Sequence, residues 1–201
     1  MKVSKETSAK HRAELLKAAS RLFRERGFDK VGIAEIAAAA GLTHGAFYTH
    51  FESKEALCAE VLARGSRRSG AAPDSTVDWR AYIEAYLSPK HVRDRANGCP
   101  FAALGGDVPR ESETIKSAFS DALERSIDAV AARLGHKGEV PSREDAIQAL
   151  ASMVGALMLA RTAATPQLRD EILEATRNKL LEAPQGNATR SGARRRAAAS
   201  S

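Results

Sequence analysis

Only two cysteines, Cys58 and Cys99, occur among the 201 residues. They form neither a disulfide framework nor the paired spacing of a zinc site, so both are expected to be thiols in a reducing compartment. No apolar run reaches the ~18 residues that mark a membrane span. The opening segment, "MKVSKETSAKHRAELLKAAS", lacks the apolar stretch of a secretory signal, and the expected location is cytoplasmic. Alternating Val/Ile/Thr runs are missing too, which removes the pattern of a half-buried strand. No metal or cofactor is expected. These absences leave an all-α chain.

What is present fits that class. Alanine, leucine, glutamate and arginine recur at helical spacing, and apolar residues make up 43% of the chain, enough for a core. Helices are expected at about 9–26, 33–40, 44–50, 53–68, 76–88, 108–134, 143–163 and 167–182, with short pieces around 88–96 and from Pro100. Gly27 and Gly41 end the first two. "RRSGAAPDS" at 67–75 reads as a joint, and the tail from 184 has no apolar periodicity and is expected to be disordered. Charge is uneven. Residues 1–70 carry a surplus of five positive charges, 71–183 a deficit of three, and 184–201 four arginines without an acid. A basic first module on a mildly acidic body suggests that only the first part meets a polyanion.

The most informative stretch is "GLTHGAFYTHFESKEAL", Gly41–Leu57. Phe47 and Phe51 share one helical face and can dock, with Leu42, on Ile36, Leu22 and Phe23. Gly41 permits the tight reversal of a helix-turn-helix, and Thr43 caps the next helix. The outer face is then His44, Gly45, Tyr48 and Thr49: short or planar hydrogen-bonding groups suited to base edges in a major groove, with Thr43 and His50 counted among the DNA-contacting residues. Lys54, in the first turn of the following helix, adds its charge to the free N–H groups there and suits a phosphate. Lys10, Arg12 and Lys17 could supply further backbone charge. The bland alternative is a three-helix bundle that is merely polar outside.

"KAASRLFRERGFDKVGIAEIAAAAGLTHGAFYTHFESKEAL" resembles the DNA-binding domain of the TetR family of transcriptional regulators. The resemblance spans Arg12–Val61 and rests on Ala18–Ala19, Leu22–Phe23, Gly27–Phe28, Ile36–Ala37, Ala40–Gly41, Tyr48, Phe51, Lys54 and Leu57. It implies an all-helical homodimer with two DNA-reading heads, and a C-terminal part that binds a small-molecule effector and dimerises through the last two long helices. The implied division is a helix-turn-helix domain at 1–52, a linking helix at 53–70, an effector and dimerisation domain at 71–183 and a basic tail at 184–201. The chain departs from the family at Val31–Gly32, where a Thr or Ser usually caps the second helix and touches phosphate.

In the C-terminal part, "NGCPFAALGGDVPRES" places Pro100 at a first helical position and Cys99 at its cap, where a positive helix end favours thiolate. His91, Arg93 and Arg95 are near in sequence. The segment is similar to a Gly-Cys element in TetR-like repressors that respond to reactive electrophiles. The alternative is a small buried residue at a helix start. A noncovalent pocket is the other option. Trp79, Tyr82, Ile83 and Tyr86 form one stripe, which Phe101, Leu104, Phe119, Leu123, Met153, Leu157 and Met158 could complete; the alternative is that all of them are plain core. Arg161 meets an anionic group or faces solvent. The helix at 143–163 is apolar nearly all round, and Ala149, Ser152, Gly155 and Ala156 would let a symmetry mate approach; an internal hairpin is the alternative.

The expected function is a repressor released from an inverted-repeat operator in double-stranded DNA by an effector or by cysteine modification. A two-fold dimer would read half-sites about 34–36 Å apart in the simplest case. The alternatives are a sequence-nonspecific nucleoid protein, with a steep salt dependence and no preferred duplex, and an enzyme with Cys99 as nucleophile and His91 or His136 as base.

Overall fold

The computed structural model describes residues 5–68, 78–134 and 142–182. Most of the joint at 67–75, the breakers Gly135, Gly138 and Pro141 with His136, and the tail from 184 lie outside the described residues. Among those described there are ten α-helices, one short 3-10 turn and no strand. The helices are α1 (Lys5–Arg26), α2 (Ile33–Ala39), α3 (His44–Phe47), α4 (Lys54–Arg68), α5 (Trp79–Tyr86), α6 (Pro89–Arg93), α7 (Pro100–Leu104), α8 (Glu113–Leu134), α9 (Arg143–Thr162) and α10 (Pro166–Leu181).

Several boundaries differ from expectation, and α5 is shorter than the expected 76–88. α1 starts a turn early, at Lys5, because its polar first turn has helix propensity without apolar periodicity. α3 stops at Phe47 instead of His50, and the chain continues in a turn in which Thr49 N–H bonds to Ala46 O at 3.3 Å and His50 N–H to Phe47 O at 2.9 Å. The segment from 108 opens with a 3-10 turn at Val108–Arg110, and α8 begins only at Glu113.

α1 to α4 close on one core built from Leu15, Leu22, Phe23, Ile36, Phe47 and Leu57, each at most 6% exposed. Three residues from farther along, Leu104, Val108 and Ile115, belong to that same core. A second core gathers Ile83, Tyr86, Cys99, Phe101, Met153 and Leu157 from α5, α7 and α9. A third, smaller one joins α8 to α9 through Ile127, Val130, Ala149 and Leu150. α4 packs along α8, and α9 packs against both α8 and α10. α9 starts with a reciprocal cap, in which the Ser142 hydroxyl accepts from Asp145 N–H while the Asp145 carboxylate accepts from Ser142 N–H, both at 3.1 Å.

The small-residue face expected for a symmetry mate is only partly outward. Ala149 and Ala156 are buried inside this chain, whereas the outward stripe of α9 is Ile147, Ala151, Gly155 and Met158. Met158 is 40% exposed, which removes it from the expected pocket lining. The helix is apolar nearly all round, so its phase had to be set by its neighbours.

Candidate nucleic-acid interface and effector core

The turn before α3 depends on Gly41, whose φ of +71° is a left-handed conformation that side chains disfavour. It lets Leu42 N–H reach back to Ala37 O at 2.8 Å. The Thr43 hydroxyl then caps α3, accepting from Ala46 N–H at 3.3 Å. Phe47 is fully buried and lies 5.7 Å from the Phe51 ring. With the inner side thus fixed, His44, Gly45, Tyr48 and Thr49 are exposed. Tyr48 stands edge-on between His44 at 5.4 Å and Phe47 at 5.3 Å, yet keeps 52% of its surface open. The Thr49 hydroxyl donates to Ala46 O at 2.7 Å, so toward a partner it offers its acceptor lone pairs. A Cβ added at Gly45 would meet nothing within 4 Å, so nothing in the described chain requires the glycine.

The flanks divide the cationic residues by role. Lys54 begins α4 and makes no ion pair or hydrogen bond among the described residues, and Ser53 caps that helix by accepting from Ala56 N–H at 3.0 Å. Lys10 is exposed. Arg12 is not available as a backbone charge: it is clamped on both oxygens of Glu60 and lies over the Phe51 ring at 4.6 Å, stapling α1 to α4. Lys17 faces elsewhere. With Arg21, Arg24 and Arg64 it lines a groove of about 530 Å³ where α1 and α4 meet the Ala96–Asn97 turn. His50 is half-buried against His11, with ring centres 6.1 Å apart. Burial first, then electrostatic interaction with His11 and Arg12, lowers its pKa. At the family's usual hydroxyl position, Val31 is fully buried and Gly32 caps α2 without a side-chain bond.

Residues 15–61 match the model described as bacterial regulatory proteins, tetR family, and residues 77–174 match the C-terminal domain of LmrA/YxaF-like transcriptional regulators. The chain belongs to the TetR family of transcriptional regulators. It is 38% identical over 94 residues to the transcriptional repressor KstR2 of Rhodococcus jostii RHA1, covering 43% of this chain and 45% of that one. It is 27% identical over 179 residues to the repressor BepR of Brucella suis biovar 1, covering 79% and 83%. Among solved structures it shares the TetR fold with reduced Escherichia coli NemR, at a TM-score of 0.69 and 24% identity over 85% of this chain and 95% of that one. A TetR-family regulator from Agrobacterium tumefaciens gives 0.69 at 19% identity over 86% and 98%. No helix among the described residues is long and apolar enough to cross a membrane.

The TetR-type body holds most of the expected pocket residues together. Trp79, Tyr82 and Tyr86 stack in series along α5, with centres 6.0 and 6.1 Å apart. Phe101 meets Phe119 edge-on at 5.2 Å. Cys99 caps α7 as expected, with Pro100 at the first position, but the thiol makes no cap bond and is 4% exposed. Burial outweighs the helix end and pushes the Cys99 thiol up, contrary to the expected thiolate character. His91 is no base for that thiol either. Its Nδ1 lies 2.7 Å from Tyr86 O, and its Nε2 accepts from Cys99 N–H at 3.0 Å, so both ring nitrogens hold backbone. Arg161 reaches the same knot, donating from Nη2 to His91 O at 3.3 Å.

Two contacts lay beyond sequence reasoning. Arg24 of α1 donates to Ala96 O at 3.1 Å, tying the first helix to the α6–α7 turn across 72 positions. Gly98 is fixed by close approach, since a Cβ there would stand 2.8 Å from both Arg161 Nη2 and Asp94 O. Neither leaves a periodic mark in the sequence.

Proposed function

We propose that this chain works as a homodimeric repressor that grips an inverted-repeat operator with two copies of α3 and lets go when an effector occupies the body. The observation that carries the reading is the seating of α3: Phe47 is locked in the core while His44, Gly45, Tyr48 and Thr49 are presented together. A vacant space at Gly45 and a Lys54 without an ion pair among the described residues suit a surface that meets a duplex closely, with base edges at the centre and a phosphate at the rim.

Support for the dimer comes from the exposed apolar side chains. Of the five large ones among the described residues, Ile147, Met158, Leu159 and Leu168 lie on α9 and α10, and the fifth is Tyr48. Two such helices from each copy would bury this surface in a four-helix interface. Support for effector control comes from α7, which contributes Phe101 to the body core and Leu104 to the head core. A ligand that shifts Phe101 would move the seat of the head, provided it binds the two arrangements with different affinity.

Selection of bound duplexes from a fragmented genomic pool tests the reading. It expects recovery of an inverted repeat with half-sites a whole number of turns apart. Recovery of duplexes without a shared motif, with binding that simply tracks salt, would favour nonspecific nucleoid binding instead.

A further inference from the structure

We propose that the body of this protein takes an organic monoanion, a carboxylate on an apolar or aromatic frame, with its charged head held by Arg161 and Tyr86. This rests on the reading of the body as the effector site and adds the chemical class. Arg161 spends one nitrogen on His91 O, while its Nε and Nη1 are buried without a hydrogen-bond partner. The Tyr86 hydroxyl, on a residue 7% exposed, is buried beside the Cys99 thiol, a weak acceptor that is its one neighbour of that kind among the described residues. Two guanidinium donors with no acceptor among the described residues, and a phenol whose acceptor is only a thiol, therefore lie in one knot, an unfavourable arrangement unless a ligand completes it.

The surroundings favour an anion over a neutral acceptor. No carboxylate is among the buried side chains of the described residues. Asp94 is the nearby acid, and its oxygens already take Asn97 N–H at 3.2 Å and Asn97 Nδ2 at 3.0 and 3.2 Å. Arg95 adds positive charge near Arg161. His91 contributes no charge, since its ring nitrogens are committed to backbone and burial lowers its pKa. The Tyr86 phenol stays protonated, held well above its ordinary range by burial. Its proton is thus available to a carboxylate, and charge-assisted bonds of this kind are the strong ones.

The frame of the ligand follows from the walls. Beside Tyr86 and Cys99 is a void of about 10 Å³ lined also by Tyr82, Phe101, Ser126 and Leu150. That is room for about one water. A ligand larger than a water has to displace side chains of this lining, and with Cys99 and Phe101 both on α7 or its cap, occupancy would shift α7.

Trp79, the single tryptophan, packs 6.0 Å from Tyr82 and reports on this space by fluorescence. The test titrates the full chain with benzoate and octanoate, and with benzamide and octanamide as uncharged counterparts, at constant pH and ionic strength. Saturable changes are expected for an acid at concentrations about tenfold or more below its amide. Arg161→Met should erase that preference, Arg161→Lys should keep part of it, and Tyr86→Phe should weaken acid binding about threefold to tenfold. Circular dichroism confirms that each variant is folded. Equal binding of acids and amides, a preference that survives both Arg161→Met and Tyr86→Phe, or no binding of either acid at millimolar concentration overturns the proposal. The effector reading fails separately: an acid bound through Arg161 that leaves affinity for a selected duplex unchanged would keep the anion site and remove its role in release. Neutral ligands that bind and release DNA would do the reverse.

Discussion

Phe101 and Leu104 stand one helical turn apart on α7 and are buried in different cores, Phe101 with Tyr86, Cys99 and Leu157, and Leu104 with the α1–α4 cluster that includes Phe23. A five-residue helix is too short to absorb a displacement at one end without passing it to the other. Phe119 packs against both cores from α8 and reinforces the link.

Leu104→Ala should therefore both destabilise and uncouple. Leu104 is 1% exposed, and emptying such a site removes about 2–5 kcal/mol. Thermal unfolding should show the loss. At a temperature where the variant remains folded, a ligand that alters Trp79 fluorescence should have a smaller effect on DNA affinity than in the parent. An unchanged ligand effect would mean that the signal travels by another route.

Arg12 and Lys54 should separate cleanly in salt. Arg12 is held by Glu60 and Phe51, so Arg12→Met should lower stability by about 1 kcal/mol while leaving the salt dependence of DNA binding intact. Glu60 keeps a second partner, Arg64 at 2.9 Å, which limits the damage. A drop in the salt slope for Arg12→Met, measured as affinity against ionic strength, would restore Arg12 as a phosphate contact.

Stability should fall on mild acidification through His91. Its folded pKa is lowered from 6.5, first by burial, so the folded state favours the neutral ring. The unfolded chain then takes up the proton first. The contribution is fully present above about pH 6.5, declines as pH falls below that value, and stops declining below the folded pKa. His50 acts in the same direction from a more exposed position. Melting temperatures between pH 7.5 and 5 should fall in the parent and fall less in His91→Gln.

The head was legible because its pattern is local. Leu15, Ala19, Leu22 and Phe23 repeat at helical spacing, glycine stands at both reversals, and Phe47 and Phe51 leave only one side of α3 open. The body was less so. α9 is apolar on nearly every side, so no sequence phase distinguishes Ala149 and Ala156, which face in, from Ile147 and Met158, which face out. The Pro100 rule placed Cys99 at the α7 cap correctly, but the thiol's chemistry follows burial by residues far along the chain. Arg12 looked like surface charge because Glu60, 48 positions away, gives no local sign of the pairing.

Charge placed on the outer stripe of α9 should split a dimer. Leu159 is 59% and Met158 40% exposed, against 0% for the adjacent Leu157. The double substitution Met158→Glu and Leu159→Glu should leave the monomer folded, because the core is untouched, and give a single-chain mass by sedimentation. Operator affinity should fall by about 10²-fold or more, since each head then binds without the effective concentration supplied by its twin. A variant that stays dimeric would move the interface away from this stripe.

Tyr48 and Lys54 should fail differently when removed one at a time. Lys54 makes no ion pair or hydrogen bond among the described residues, so Lys54→Ala should weaken binding to all duplexes and lower the salt slope by about 0.9 per half-site. Tyr48 is mostly open, and its ring is supported by His44 and Phe47. Tyr48→Phe should reduce affinity with the slope unchanged, the signature of a lost hydrogen bond. The two effects should nearly add, because the side chains share no partner. Affinity for a selected duplex that persists in the folded Tyr48→Ala, Lys54→Ala double variant would place the DNA surface elsewhere, and the seating of α3 would then need another explanation.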